Sequence, residues 1–179
     1  MQTIRTECLS CQKCPLHETR TNVVFGRGNE KASLLFVGEA PGANEDATGE
    51  PFVGAAGKLL DQYLEAVGLS REDYYIANIL KCRPPQNRDP NPEEIAVCTP
   101  FLDRQIEAIA PKLIVCLGRI AAMRLIREDF RITREHGQVF EKDGRRILAV
   151  YHPAALLRDP HKKEDMFLDF LKIKKLLEE

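Results

Sequence analysis

Four short segments of this sequence concentrate side chains capable of chemistry: Gly38-Glu39-Ala40-Pro41-Gly42, Asn78 with Lys81-Cys82-Arg83-Pro84-Pro85, Gly118-Arg119, and His152-Pro153. They bring a carboxylate, an amide, several cations and an imidazole. The cysteines form a second group. Six cysteines in a chain expected in a reducing compartment read as thiols or metal ligands rather than disulfides. Cys11-x2-Cys14 is half of a ligand set, and Cys82, in a loop dense in proline and arginine, and Cys98, in a predicted helix, are candidates for the other half. Four thiolates suit either a tetrahedral zinc or an iron–sulfur cluster. Cys116 sits in the apolar run Leu113-Ile114-Val115-Cys116-Leu117 and reads as a small buried hydrophobe.

Each of the four loaded segments follows an apolar run of strand-like composition: Ser33 to Val37, Tyr74 to Ile79, Leu113 to Leu117 and Arg146 to Tyr151. Helix-period segments lie between them. Leu59, Leu60, Tyr63, Leu64 and Val67 trace one helical face, with Gly68 as a stop. Asn91-Pro92-Glu93-Glu94 is a helix start, with Asn91 as cap and Ile95, Cys98, Leu102, Ile106 and Ile109 as the buried stripe. Gly118 to Ile126 and Glu164 to Leu177 are further helices. Strands alternating with helices predict an α/β fold, a three-layer α/β/α sandwich around a mainly parallel four-stranded sheet. In such a sheet ligands bind outside the carboxyl ends of the strands, so the four loaded turns converge on one pocket.

With 179 residues, 44% of them hydrophobic and 30% charged, the chain reads as one globular domain over 1–179 rather than a disordered segment. A membrane helix needs ~20 consecutive apolar residues, and none is present. The polar start Met1 to Glu7 does not read as a signal peptide, so a cytosolic location is expected. A formal net charge of −1 argues against a strongly electrostatic nucleic-acid binder but leaves room for a local basic face. Lys81, Arg83 and Arg88, with Arg158, His161, Lys162 and Lys163, are its candidates. The segment from Met1 to Arg20 has little apolar periodicity, so a metal or cluster is expected to hold it down.

Cys11-x2-Cys14-Pro15-Leu16, Gly38-Glu39-Ala40-Pro41-Gly42, Thr48-Gly49-Glu50-Pro51-Phe52-Val53-Gly54, Asn78 ahead of Lys81-Cys82-Arg83-Pro84-Pro85, and His152-Pro153-Ala154-Ala155-Leu156-Leu157-Arg158 occur in that order. From about Cys11 to the carboxyl-terminal helix the chain resembles the family 4, iron–sulfur, uracil-DNA glycosylases of bacteria and archaea. The resemblance implies hydrolysis of the N-glycosidic bond of deoxyuridine in single- or double-stranded DNA, by a monomer that flips the base out. It also implies a structural [4Fe–4S] cluster on Cys11, Cys14, Cys82 and Cys98, with Cys8 a spare thiol.

By the same resemblance Phe52 stacks on the base, Asn78 reads its amide edge, and His152 donates toward O2 as charge moves onto the leaving uracil. The turn at Glu39 and Ala40 contacts base and water. Glu39 is a candidate for placing water or stabilising the sugar cation, and Glu45 for crowding the C5 face against thymine. Leu156 and Leu157 are candidates for the wedge that fills the vacated stack, at most one of them serving, with Arg158 and Arg88 toward the DNA backbone. Two other readings are a glycosylase for another deaminated base such as hypoxanthine and a noncatalytic iron–sulfur DNA-binding module. The combination of Asn78, Phe52 and His152 argues against the second. A covalently trapping branch of the superfamily carries a basic insertion before the Cys-Arg-Pro segment; here Ile79-Leu80-Lys81 joins the two directly, which implies turnover.

Overall fold

A computed structural model describes residues 1–179. Its one sheet contains β1 (Arg27–Gly28), β2 (Leu34–Gly38), β3 (Tyr74–Asn78), β4 (Leu113–Leu117), β5 (Phe140–Lys142) and β6 (Arg145–Val150), ordered β1-β3-β2-β4-β6-β5. The central four are parallel, as the apolar runs predict. The sheet has six strands rather than four, because β1 and β5 add antiparallel edges. Both are short and polar, with one covered face at most, and carry no apolar run to announce them.

β2, β3 and β4 are buried at every position, since helices cover both sheet faces. Alternation along a strand divides the core. Leu34 and Phe36 pack with Leu60 and Leu64 of α4 (Ala55–Ala66), Leu156 of α8 (Pro153–Arg158), and Met166, Phe170 and Ile173 of α9 (Lys163–Glu178). Leu35 and Val37 pack on the other side with Leu102, Ile106 and Ile109 of α5 (Pro92–Ile109) and with Ala121, Ala122 and Leu125 of α6 (Arg119–Leu125). The expected start of α5 is met: Asn91 precedes Pro92, and the Glu94 carboxylate accepts the Asn91 N–H at 2.9 Å.

The amino-terminal segment departs from expectation. It contains α1 (Gln2–Leu9) and α2 (Leu16–Thr19), and a small core of Ile4, Cys8, Leu16, Val23, Phe25, Leu80, Cys82 and Phe101 anchors it. The spacing of Ile4 and Cys8 is one helical turn, too short a pattern to register as periodicity. Half-buried Cys98 of α5 packs on this small cluster, and half-buried Ile95 bridges it to the main core. The remaining short helices are α3 (Ala43–Thr48) and α7 (Ile132–Glu135). No helix is long and apolar enough to cross a membrane.

Candidate active site and cysteine cavity

Because β2, β3, β4 and β6 run parallel, their carboxyl ends share one edge of the sheet, and a cavity of about 700 Å³ opens there. Glu39, Ala40, Glu45, Phe52, Asn78 and His152 all line it, joined at the rim by Arg88 and Arg158. Segments more than a hundred residues apart thus meet as the strand-end argument requires.

Asn78 ends β3 opposite Gly38, the last residue of β2. Its side chain is buried, 1% exposed, and neither Oδ1 nor Nδ2 has a hydrogen-bond partner. An orphaned buried amide costs about 1–3 kcal/mol, so one that lines a cavity marks a place for a ligand with the complementary donor and acceptor. Gly38 makes room for it: a Cβ there would lie 2.4 Å from Asn78 Oδ1 and 2.6 Å from Phe52 Cζ.

Phe52 adopts a left-handed backbone conformation, φ +52°, which is uncommon for a residue with a side chain. Two features impose it. Gly57 lets α4 approach so closely that a Cβ would stand 1.9 Å from the Phe52 carbonyl oxygen. The Glu45 carboxylate accepts N–H bonds from Gly42 at 3.1 Å, Val53 at 3.1 Å and Gly54 at 2.9 Å, stapling the first turn to the Phe52 loop. Glu45 therefore lines the cavity with its carboxylate already committed to the backbone of the first turn and the Phe52 loop. The Phe52 ring lies 5.9 Å from the His152 ring, tilted by 32°.

His152 caps α8, and its Nδ1 accepts the Ala154 N–H at 3.1 Å. The proton therefore sits on Nε2. Burial, with a smaller contribution from Arg158, lowers its pKa to about 4, so the ring is a neutral donor at physiological pH. Glu39 is pushed the other way: burial, then the nearby Asp89 charge, raise its pKa, while Arg119 lowers it. Asp89 and Arg119 form an ion pair at 3.3 Å in the cavity rim.

The remaining expected DNA-facing residues separate. Leu156 is 0% exposed and belongs to the main core, so its assignment as a DNA wedge is corrected. Leu157 is 53% exposed and stays free to contact DNA. Arg88 lies in the rim, paired with Glu94 at 2.5 Å. Lys81, read from sequence as part of a basic surface, is only 1% exposed and is corrected likewise.

Cys8, Cys11, Cys14, Cys82 and Cys98 line a second, smaller cavity, together with Arg20 and Lys81. Burial raises the Cys8 thiol to about 12 and Cys98 to about 11, and raises Cys82 as well. Donors oppose it at two sulfurs: Arg20 Nη1–H points to Cys82 Sγ at 3.3 Å and to the Cys11 carbonyl at 2.7 Å, while the Lys81 backbone N–H points to Cys98 Sγ at 3.2 Å. No three histidine, cysteine or acidic side chains close around a point at the spacing of a single metal ion. The cavity between the thiols is small, about 20 Å³, and a set of four thiolates suits either a tetrahedral zinc or an iron–sulfur cluster. Cys116 is buried in the sheet, as its run predicts. Arg20 and Asp89 line the two cavities without having been singled out from the sequence, because a charge reveals nothing of its partner until the chain folds.

The uracil DNA glycosylase superfamily model matches residues 25–173 of this chain. Over 178 residues the chain is 54% identical to a type-4 uracil-DNA glycosylase of Archaeoglobus fulgidus, covering 95% of this chain and 89% of that one. It is 48% identical over 185 residues to a type-4 uracil-DNA glycosylase of Sulfurisphaera tokodaii, covering 98% and 84%. A type-4 uracil-DNA glycosylase of Thermotoga maritima is 46% identical over 161 residues, covering 89% and 84%.

Proposed function

This chain belongs to the uracil DNA glycosylase superfamily, and from that premise we propose that it excises uracil from DNA, hydrolysing the N-glycosidic bond and leaving an abasic site. The observation that carries the reading is the partnerless Asn78 amide in a cavity it shares with Phe52 and His152. Every group comes from one chain, so a single domain over 1–179 acting as a monomer suffices. A DNA substrate and thiol ligands both suit a reducing cytoplasm.

In this reading uracil leaves the duplex and enters the cavity, where the Phe52 ring covers its face. Asn78 Oδ1 accepts from N3–H and Nδ2 donates to O4, a pattern that cytosine reverses. As the glycosidic bond breaks, electrons move onto the base and His152 Nε2–H donates to O2. A neutral imidazole suits this role because it stabilises the developing charge without surrendering a proton first. Glu39, beside the sugar, orients water or offsets the sugar's developing positive charge. Glu45 keeps the ring of Phe52 in register, Leu157 fills the gap in the stack, and Arg158 and Arg88 meet phosphates.

Cys11, Cys14, Cys82 and Cys98 would hold a [4Fe–4S] cluster, with Cys8 a spare thiol in the same cavity, and the cluster would tie the amino-terminal arm to the Pro84–Pro92 loop. Isolated without oxygen, the protein should be brown, absorb near about 400 nm and carry about four irons per chain. Stoichiometric zinc with no iron after anaerobic reconstitution would sink the assignment.

Release of free uracil, measured on matched duplexes containing uracil, hypoxanthine, cytosine or thymine, tests the activity. Uracil is expected to be released, and release of hypoxanthine alone would transfer the reading to another deaminated base. Gly38→Ala is expected to lower excision about 10²-fold, because its methyl group must displace both Asn78 and Phe52 and misplacement by ~1 Å has that scale of effect. Wild-type kinetics in a folded Gly38→Ala protein would show that the two side chains need not meet there.

A further inference from the structure

We infer that Lys81 is the buried counter-charge of the cysteine-bound cluster and, through the same ammonium, the residue that positions Asn78; this rests on the cluster reading above. Lys81 Nζ donates to the Asn78 backbone carbonyl at 2.9 Å and to Gln105 Oε1 at 2.6 Å. Gln105 is itself fixed, since its Nε2 donates to the Phe25 carbonyl at 3.0 Å. The Phe25 ring lies 5.8 Å from the ammonium. All of these partners are neutral, and no carboxylate lies within ion-pair distance of Nζ. An ammonium buried among neutral acceptors is costly unless a negative charge stands nearby.

The cysteine cavity supplies one. Lys81 lines that cavity, and its backbone N–H reaches Cys98 Sγ. Four thiolates outweigh the positive charge of an iron–sulfide core, so the loaded site is anionic. Arg20 approaches from another side, against Cys82, but is more accessible than Lys81. Lys81 is thus the cation most fully withdrawn from water beside the cluster.

Its other contact faces the active site. The Asn78 carbonyl is the last of β3, where the ladder with β2 closes at Gly38 and Asn78, and Ile79 N–H then bonds the Gly38 carbonyl at 2.9 Å. Without the ammonium, the Asn78 carbonyl would lose a charge-assisted bond just where the strand ends, and its amide would lose its fixed aim into the cavity. One side chain thereby ties the cluster to the group that reads the base. That linkage accounts for a lysine three residues beyond Asn78 and one before Cys82.

Anaerobic voltammetry and single-turnover excision on iron-loaded protein test both halves. Lys81→Met should move the cluster's reduction midpoint to more negative potential, because loss of a nearby cation disfavours the electron-richer state; Lys81→Arg should leave it close to wild type. Lys81→Met should also lower the excision rate about ten-fold or more with little change in affinity for uracil-containing duplex. Should Lys81→Met not fold, Gln105→Glu, which sets an anion on the ammonium, should shift the midpoint in the same direction. Gln105→Leu, which frees the ammonium on one side, should lower the excision rate. Unmoved midpoints in Lys81→Met and Gln105→Glu would overturn the counter-charge. Wild-type excision rates in Lys81→Met and Gln105→Leu would overturn the positioning role. A wild-type protein that takes up no iron removes the cluster reading itself and the counter-charge with it, and does so before any variant is made.

Discussion

Asn78→Asp is expected to lower uracil excision at neutral pH by roughly 10³–10⁵-fold, the discrimination typical of a buried site built around a hydrogen bond that the new pairing cannot make. The native amide presents one acceptor and one donor to the cavity, and both are otherwise unused. An ionised carboxylate keeps the acceptor for N3–H but sets a negative charge against O4, where the NH₂ group donated. Any gain should favour cytosine, whose N4 amino group can donate to that carboxylate. The loss should shrink as pH falls. Burial raises the pKa of an introduced carboxyl, and once protonated it again offers a donor and an acceptor to uracil. Excision rates on uracil and cytosine duplexes from neutral pH to about pH 5 check both statements. Unchanged uracil kinetics in the folded variant would take Asn78 out of the pocket.

His152→Ala should excise uracil ~10²–10³-fold more slowly, equivalent to roughly 2.7–4 kcal/mol, the usual cost of one donor aimed at developing charge. The loss should fall on the single-turnover rate rather than on duplex affinity, since the stabilised charge exists only as the bond breaks. Cluster absorption should be unchanged. The pH behaviour of the wild-type ring provides an independent check. With a pKa near 4, lowered by burial, His152 is neutral throughout the range above about pH 5 and becomes cationic only as pH falls through 4. Its ring nitrogens, followed by NMR, should keep the signature of the Nε2–H form from neutral pH to about pH 5, because Nδ1 accepts from Ala154. Protonation near 6.5 would contradict a neutral donor. Equal losses of affinity and rate in His152→Ala would make the residue structural, and no loss would assign the leaving-group role elsewhere.

The sequence by itself determined the central sheet. Four runs such as Leu34-Leu35-Phe36-Val37 are apolar without interruption because helices cover both faces, and that same parallel arrangement brings Glu39, Asn78, Gly118 and His152 to one edge. The start of α5 was equally legible, since capping and proline placement act within a few residues. Edge strands β1 and β5 carried no such signal. β1 is held by hydrogen bonds to β3, and β5 by hydrogen bonds to β6 and the packing of one ring, Phe140, on Phe130.

Only the tertiary structure decided which of two adjacent leucines faces solvent. Leu156 turns into the core against α4 and the sheet, and Leu157 turns outward, because neighbouring positions of a short helix point about 100° apart and the orientation of α8 selects between them. It likewise decided that Lys81 is buried between the cysteines and Asn78, and that the Glu45 carboxylate is occupied by Gly42, Val53 and Gly54. Residue type states what a side chain can bond. Its partner is supplied by segments distant in the chain, so burial of a charge and commitment of a carboxylate become readable only once those segments have met.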